Sequence, residues 1–147
     1  MKTANKKIDL KTKCCFDFIN LTEEIKKFVE ESGIKNGLVN IQSMHTTSSI
    51  VVNEEEPLLI EDIKERLERL MPNDPKYRHD DFSIRTVNMC DDECANGHAH
   101  CKALLLQPNA TLNVWGGKLQ LGTWQQVFFL ELDGARPRQV QIHIIGE

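Results

Sequence analysis

Polar and apolar side chains alternate in the stretch Gln139-Val140-Gln141-Ile142-His143-Ile144-Ile145. A period of two predicts a β-strand with one buried face, and it favours a structural or surface role for His143, between two isoleucines. Strands are also predicted over residues 110–115 and 119–132, with turns at Trp115-Gly116-Gly117 and Asp133-Gly134. The C-terminal third is therefore predicted to be a β-meander.

Strands and helices are both predicted in the N-terminal half. The predicted strands cover residues 8–12, 15–19, 37–42 and 50–52. Asn20 offers a helix N-cap with Glu23 three residues later, and Gly33 is a natural stop. A second helix is predicted to begin at Pro57 and to end before Pro72. Both element types in one chain predict an α+β fold.

The length and composition of the chain are typical of one domain of ordinary size. With 147 residues, the chain is expected to form a single domain over residues 1–147. The longest apolar runs are too short to span a membrane, and the basic N-terminus lacks the features of a secretory signal, so we expect a cytoplasmic protein. A net charge of −4 argues against nucleic-acid binding, and five cysteines without a signal favour reduced thiols.

The polar stretch Met44-His45-Thr46-Thr47-Ser48-Ser49 separates two predicted strands. Hydroxyl groups such as those of Thr47 and Ser48 can hold an anion, and His45 can transfer a proton near neutral pH. The competing interpretation is an edge strand with solvated side chains.

The carboxylates of Asn53-Glu54-Glu55-Glu56 suit either Mg²⁺ or the positive end of the next helix dipole, and Glu54 is the functional candidate.

The segment from Pro72 to Glu93 lacks periodicity and contains Tyr77-Arg78-His79-Asp80-Asp81. A loop of this length inside a compact domain is usually functional or disordered, and we favour function. His79 and Asp80 are candidate metal ligands, whereas a solvated loop is the alternative.

Asn96-Gly97-His98-Ala99-His100 permits two structures with different chemistry. We favour a helix capped by Asn96, whose free N–H groups would bind an anion beside two imidazoles. In an extended segment, His98 and His100 would instead share a face and could ligate Zn²⁺ with His45 or His79. A zinc site that includes Cys90, Cys94 and Cys101 is a third alternative.

Trp124 follows Gly122 in a segment rich in glycine and amides. Its indole is expected either to stack on a heteroaromatic ring or to pack in the core.

Five blocks in this order resemble the YjbQ-like family. They are His45-Thr46-Thr47-Ser48-Ser49, Asn53-Glu54, Tyr77-Arg78-His79-Asp80-Asp81, Asn96-Gly97-His98-Ala99-His100 and Leu119-Gln120-Leu121-Gly122-Thr123-Trp124-Gln125-Gln126. The chain differs from the family pattern at Gly97, at Cys101 and in the segment 90–94.

The resemblance implies a mixed, largely antiparallel β-sandwich with about three helices, assembled as a homotrimer. It also implies a secondary thiamine phosphate synthase, which joins a pyrimidine pyrophosphate to a thiazole phosphate. The candidate catalytic residues are His45, Glu54, His79, His98 and His100. The candidate substrate-binding residues are Thr47, Ser48, Asn96 and Trp124. The candidate ligands for a divalent metal, Mg²⁺ or Zn²⁺, are His79, Asp80, His98 and His100.

The leading hypothesis is an enzyme that acts on a small phosphorylated heterocycle. The alternatives are a metal-dependent phosphohydrolase and a non-catalytic trimer that binds a phosphorylated metabolite.

Overall fold

The computed structural model describes residues 1–74 and 76–147 and confirms the α+β prediction. Its strands are β1 (Lys2–Lys11), β2 (Phe18–Asn20), β3 (Asn36–Ser43), β4 (Ser48–Glu54), β5 (Asn109–Trp115), β6 (Lys118–Leu119), β7 (Gln125–Glu131) and β8 (Pro137–Gly146). Its helices are α1 (Thr22–Ser32), α2 (Pro57–Leu70) and α3 (Gly97–Leu105), with one 3-10 turn at Arg78–Asp80. No helix in residues 1–74 or 76–147 is long and apolar enough to cross a membrane.

The strands form two sheets, and within each sheet the paired strands are antiparallel. The large sheet has the order β1-β8-β3-β5-β6, and the small sheet has the order β2-β7-β4. The predicted C-terminal β-meander is therefore wrong, because β7 lies in the small sheet while β5, β6 and β8 lie in the large one. The physical reason is burial: residues 127–131 of β7 are buried on both faces, whereas β8 alternates and buries only one.

Apolar side chains fill the space on both sides of the small sheet. Between the two sheets, Ile142 and Ile144 of β8 join one core cluster with Ile25 and Val29 of α1. On the opposite side of the small sheet, a second cluster consists of Leu67 of α2, Ala99 of α3, Leu130 and Leu132. The small sheet is consequently the middle layer of the molecule.

Local sequence signals explain where the helices begin and end. Gly33 closes α1 at a φ of 66°, a left-handed conformation that favours glycine. Glu56 caps α2 by accepting hydrogen bonds from the Leu58 and Leu59 amides. The predicted cap of α1 is displaced by one residue, because Asn20 ends β2 and Leu21 occupies the N-cap position. The Asn20 Oδ1 atom still accepts a bond of 2.8 Å from the Thr22 amide.

A buried ion pair joins the two sheets where the chain passes from β7 to β8. The alternation of β8 turns Arg138 inward with its apolar neighbours, and Glu131 at the end of β7 has no exposed surface. Arg138 Nε donates to Glu131 Oε2 at 2.7 Å, and Arg138 Nη2 donates to Glu131 Oε1. Thr12 donates to the same carboxylate, and Thr47 accepts from Arg138. The pair is thus hydrogen-bonded on both sides.

We predict that Arg138→Met lowers the free energy of unfolding by about 3–5 kcal/mol, because it leaves the Glu131 carboxylate buried without its cation. The matched control is Arg69→Met, which removes an exposed helical pair with Glu65 at 3.5 Å and should cost less than about 1 kcal/mol. Urea unfolding monitored by circular dichroism measures both values. Equal costs for the two variants would contradict the prediction.

Candidate functional site

His45 lies in the corner that carries the chain from β3 in the large sheet to β4 in the small sheet. Ser43 and Ser48 close this corner with a bond of 2.6 Å between their hydroxyl oxygens. The Gln139 amide donates to His45 Nε2 at 2.7 Å, so the neutral ring carries its proton on Nδ1. The corner therefore holds His45 in one orientation and one tautomer.

The two histidines of α3 point in different directions. A helix turns about 100° per residue, so positions 98 and 100 lie on nearly opposite faces. His98 is buried, and its Nδ1 atom lies 3.1 Å from Nζ of the fully buried Lys102. The shared face predicted for an extended segment does not form, and His98 lies away from the surface that carries His100.

His45 and His100 line the same open cavity of about 420 Å³. Its other lining residues are Thr46, Ser48, Ala103, Leu104, Leu106, Gln107 and Pro108. The size suits a small molecule, and the lining combines imidazole and hydroxyl groups with apolar side chains. We call this space the histidine cavity.

His79 extends the polar surface beside His100. The centroids of the two imidazole rings are 4.6 Å apart in an edge-to-face arrangement. The His79 Nε2 atom is buried and has no hydrogen-bond partner among the described residues. Arg85 lies next to this pair, and its guanidinium contacts the Glu93 carboxylate at 3.2 Å. The loop that sequence analysis favoured as functional therefore reaches the histidines of the site.

Asp80 occupies the start of α3. Its Oδ1 atom accepts bonds of 2.8 Å from both the Asn96 and the Gly97 amides. The helix terminus proposed to bind a substrate anion thus already has a carboxylate partner. Asn96 directs its side-chain nitrogen to Asp133 at 3.0 Å. A Cβ atom at Gly97 would lie 2.5 Å from the Tyr77 Cβ, which explains glycine at this departure from the family pattern.

Glu54 and Trp124 lie at the far end of the small sheet. Ser48 begins β4 and Glu54 ends it, six steps of about 3.3 Å later, or about 20 Å away. Glu54 pairs with Gln125, the residue after Trp124, and the indole is 70 % exposed. Within one chain, neither residue borders the histidine cavity.

Thr47 lies in sequence between two lining residues but is itself buried, and its hydroxyl accepts a bond of 2.8 Å from Arg138. Three charged residues near the site, Lys102, Glu131 and Arg138, were missed in the sequence analysis. The sequence contains a signal for two of them. Arg138 stands at an inward-facing position in the alternation of β8, and Lys102 stands one helical turn after His98.

Metal binding can be assessed from the donor atoms. In the part of the chain that the structure describes, no group of three or more His, Cys, Asp or Glu side chains is arranged for a metal ion. His79 and His100 offer imidazole nitrogens, which suit Zn²⁺ better than Mg²⁺. Asp80 is engaged by α3 and Glu54 is distant. The available donor atoms therefore suit a transition metal, and this region supplies two of them, from His79 and His100.

Burial lowers the pKa of three histidines below the ordinary value of 6.5. The positive charge of Arg138 further lowers the pKa of His45, and that of Lys102 further lowers the pKa of His98. At His100, burial comes first and the neighbouring His79 second. The folded chain therefore favours neutral imidazoles at these positions.

We predict that the folded protein loses stability as the pH falls below about 6.5. The unfolded chain binds protons at these histidines near their ordinary pKa, whereas the folded chain resists protonation until the pH reaches the lowered pKa values. The contribution is fully present above the unfolded pKa and is lost as the pH falls through the folded ones. Proton NMR titration of His45, His98 and His100 should give lower midpoints in the folded than in the urea-unfolded chain. Equal midpoints would contradict this.

Comparison with known proteins agrees with this architecture. The sequence model for the UPF0047 protein YjbQ-like family matches residues 6–147. A UPF0047 protein of Methanothermobacter thermautotrophicus is 36% identical over 147 residues, which cover 100% of this chain and 95% of that protein. The UPF0047 protein YugU of Bacillus subtilis is 31% identical and covers 96% of this chain, with 98% of its own length matched.

Solved structures give the same result. The crystal structure of a YbjQ-like protein from Sulfolobus solfataricus superposes with a TM-score of 0.87, at 35% identity and 99% coverage of both chains. A hypothetical protein from Aeropyrum pernix gives a TM-score of 0.83, at 33% identity and 100% coverage of both. Matching sequence, fold and length together show that the chain belongs to the YjbQ-like UPF0047 family.

Proposed function

We propose that the chain is an enzyme that acts on a small phosphorylated heterocycle at the histidine cavity. The observation that carries the proposal is that His45 and His100 border one cavity of about 420 Å³. The imidazoles of these two residues and the hydroxyl groups of Thr46 and Ser48 are hydrogen-bonding groups in the lining that suit a phosphate oxygen. The first reaction to test is the one implied by the family resemblance, the formation of thiamine phosphate.

That reaction makes limited demands on the protein. The bond between the pyrimidine methylene and the pyrophosphate breaks, and the thiazole nitrogen forms the new bond to carbon. Catalysis consequently requires orientation of two substrates and stabilisation of the leaving anion. His45 can donate from Nδ1, because its Nε2 atom is engaged by Gln139. His100 is the candidate for proton transfer to the leaving group.

The positions of the other candidate residues refine the proposal. Ser48 borders the cavity, whereas Thr47 acts through Arg138 and is a positioning residue. His79 supports the ring of His100. A role for Glu54 or Trp124 on the same substrate would require a neighbouring subunit, as in the homotrimer that the resemblance implies.

We predict that purified protein supplied with a pyrimidine pyrophosphate, a thiazole phosphate and Mg²⁺ releases pyrophosphate and forms the joined product. His100→Gln should lower kcat/KM at least about 100-fold, because general acid catalysis is removed. The matched control is His143→Gln on the exposed face of the large sheet, where the imidazole contacts Asn5. Product and pyrophosphate are measured by mass spectrometry and a coupled assay.

Two results would reject this assignment. One is a His100→Gln variant that forms product as fast as the unsubstituted protein. The other is tight binding of inorganic pyrophosphate, measured by calorimetry, without any product, which would favour the non-catalytic binding protein.

A metal-dependent phosphohydrolase is the second candidate, and the His79 imidazole favours it. The buried Nε2 atom of His79 lacks a partner among the described residues and its ring lies beside that of His100. Imidazole nitrogens of this kind are ligands for Zn²⁺ or Mn²⁺. When bound, such a cation polarises a phosphoryl oxygen and activates water. In this candidate, His79 and His100 hold the metal and His45 orients the phosphate.

We predict for this candidate that protein purified without chelator contains about one transition-metal ion per chain. His79→Gln should reduce the content at least about tenfold, because removal of a ligand or its support costs this much in affinity. His143→Gln should retain the metal. Elemental analysis measures all three, and an equal metal content in His79→Gln would exclude His79 as a ligand.

A further inference from the structure

Two cysteines border a cavity that is separate from the histidine cavity. Cys90 and Cys94 line an open space of about 480 Å³, together with Asp92, Glu93, Ala135, Arg136 and Pro137. The Glu93 amide donates to the Cys90 carbonyl oxygen at 3.2 Å, which closes a turn immediately before Cys94. The ends of this turn, Cys90 and Glu93, lie within about 7 Å of each other, and Cys94 is the next residue along the chain. The loop thus brings two thiols to one surface.

The Cys94 sulfur has a cation on one side and a carboxylate on the other. Arg136 donates a hydrogen bond to Sγ at 3.0 Å, and Sγ lies 3.9 Å from Asp133 Oδ1. The sulfur therefore has a hydrogen-bond donor on one side and a hydrogen-bond acceptor on the other. Because the thiolate is the nucleophilic form, this environment is typical of a reactive cysteine.

Cys15 has the opposite environment. Its thiol is half-buried and donates to the Leu132 carbonyl oxygen at 3.3 Å. Burial raises the pKa of Cys15 to about 11, so its thiolate is scarce near neutral pH. Of these two thiols, Cys94 has the arginine contact that is typical of reactive cysteines.

We propose that Cys94 is a peroxide-reactive thiol that forms a reversible disulfide with Cys90. The Cys94 thiolate attacks one oxygen of a hydroperoxide, the O–O bond breaks, and the departing oxygen leaves as water or alcohol after taking a proton. Cys94 is now a sulfenic acid. The Cys90 sulfur then attacks the Cys94 sulfur, the S–O bond breaks, and hydroxide leaves as water with the Cys90 proton. Two thiols have given two electrons to one peroxide.

The contacts of Asp133 connect this pair to the start of α3. Asp133 accepts from Arg136 at 2.9 Å and from the Asn96 side chain at 3.0 Å. Asn96 immediately precedes α3, which carries His100 into the histidine cavity. Oxidation of Cys94 therefore removes a contact from Asp133, the carboxylate that binds the Asn96 side chain before this helix. The thiol chemistry itself is independent of the reaction at the histidine cavity.

The test uses reduced, full-length protein treated with about two equivalents of hydrogen peroxide. We expect the free thiols, counted after denaturation, to fall from five to three, because one disulfide consumes two of the five cysteines. Peptide mapping should link Cys90 to Cys94, and dithiothreitol should restore all five. Cys90→Ser should trap the sulfenic acid on Cys94, where dimedone labels it.

Matched variants separate this chemistry from general oxidation. Arg136→Gln should slow the reaction of Cys94 about tenfold, because the thiolate loses its cation. Arg66→Gln on the exposed surface of α2 is the control, and circular dichroism checks that each variant is folded. Oxidation of the exposed Cys14 at the same rate as Cys94, or a Cys90→Ser protein without dimedone label at Cys94, would overturn the proposal.

Discussion

The buried pair of Glu131 and Arg138 is the constraint on which the arrangement of the two sheets depends. Glu131 ends a strand of the small sheet, and Arg138 is the second residue of β8 in the large sheet, so the chain must change layers over residues 132–136. An isolated charge at either position would be strongly unfavourable, because both side chains are buried. Their mutual bonds, with Thr12 and Thr47, make the crossing compatible with a buried core.

The same crossing determines the position of His45. Thr47 accepts from Arg138, and the amide of the next residue, Gln139, donates to the His45 ring. The corner between β3 and β4 is thereby attached to the start of β8. A polar contact in the interior thus orients a side chain at the edge of the histidine cavity. This is a direct route from the packing of the sheets to the chemistry of the site.

The start of α3 is organised by a second set of polar contacts. Asp80 accepts from two amides at the helix terminus, and Asp133 holds the Asn96 side chain. These carboxylates come from the long loop and from the crossing after β7. Consequently, the loop, α3 and the crossing meet at one place, with the histidine cavity on one side and the cysteine pair on another.

By itself, the sequence determined the local elements and the family. Gly33, Glu56 with Pro57, and the alternation of β8 act over a few residues, so their effects follow from capping and burial periodicity. Five co-linear motifs supported the family for the same reason, since they do not depend on knowing any contact. The sequence did not predict that β7 and β8 lie in different sheets, because turn residues look alike whether the chain reverses within a sheet or crosses between layers.

Only the tertiary structure decided which polar residues share a cavity. His45 and His100 border one cavity although 55 positions separate them. His98 and His100 are only two positions apart, but α3 turns them to opposite faces. Glu54 and Trp124 belong to the same motifs yet lie at the other end of the small sheet. Residue spacing encodes the direction of a side chain within an element, but the packing of one element against another sets the distance between them.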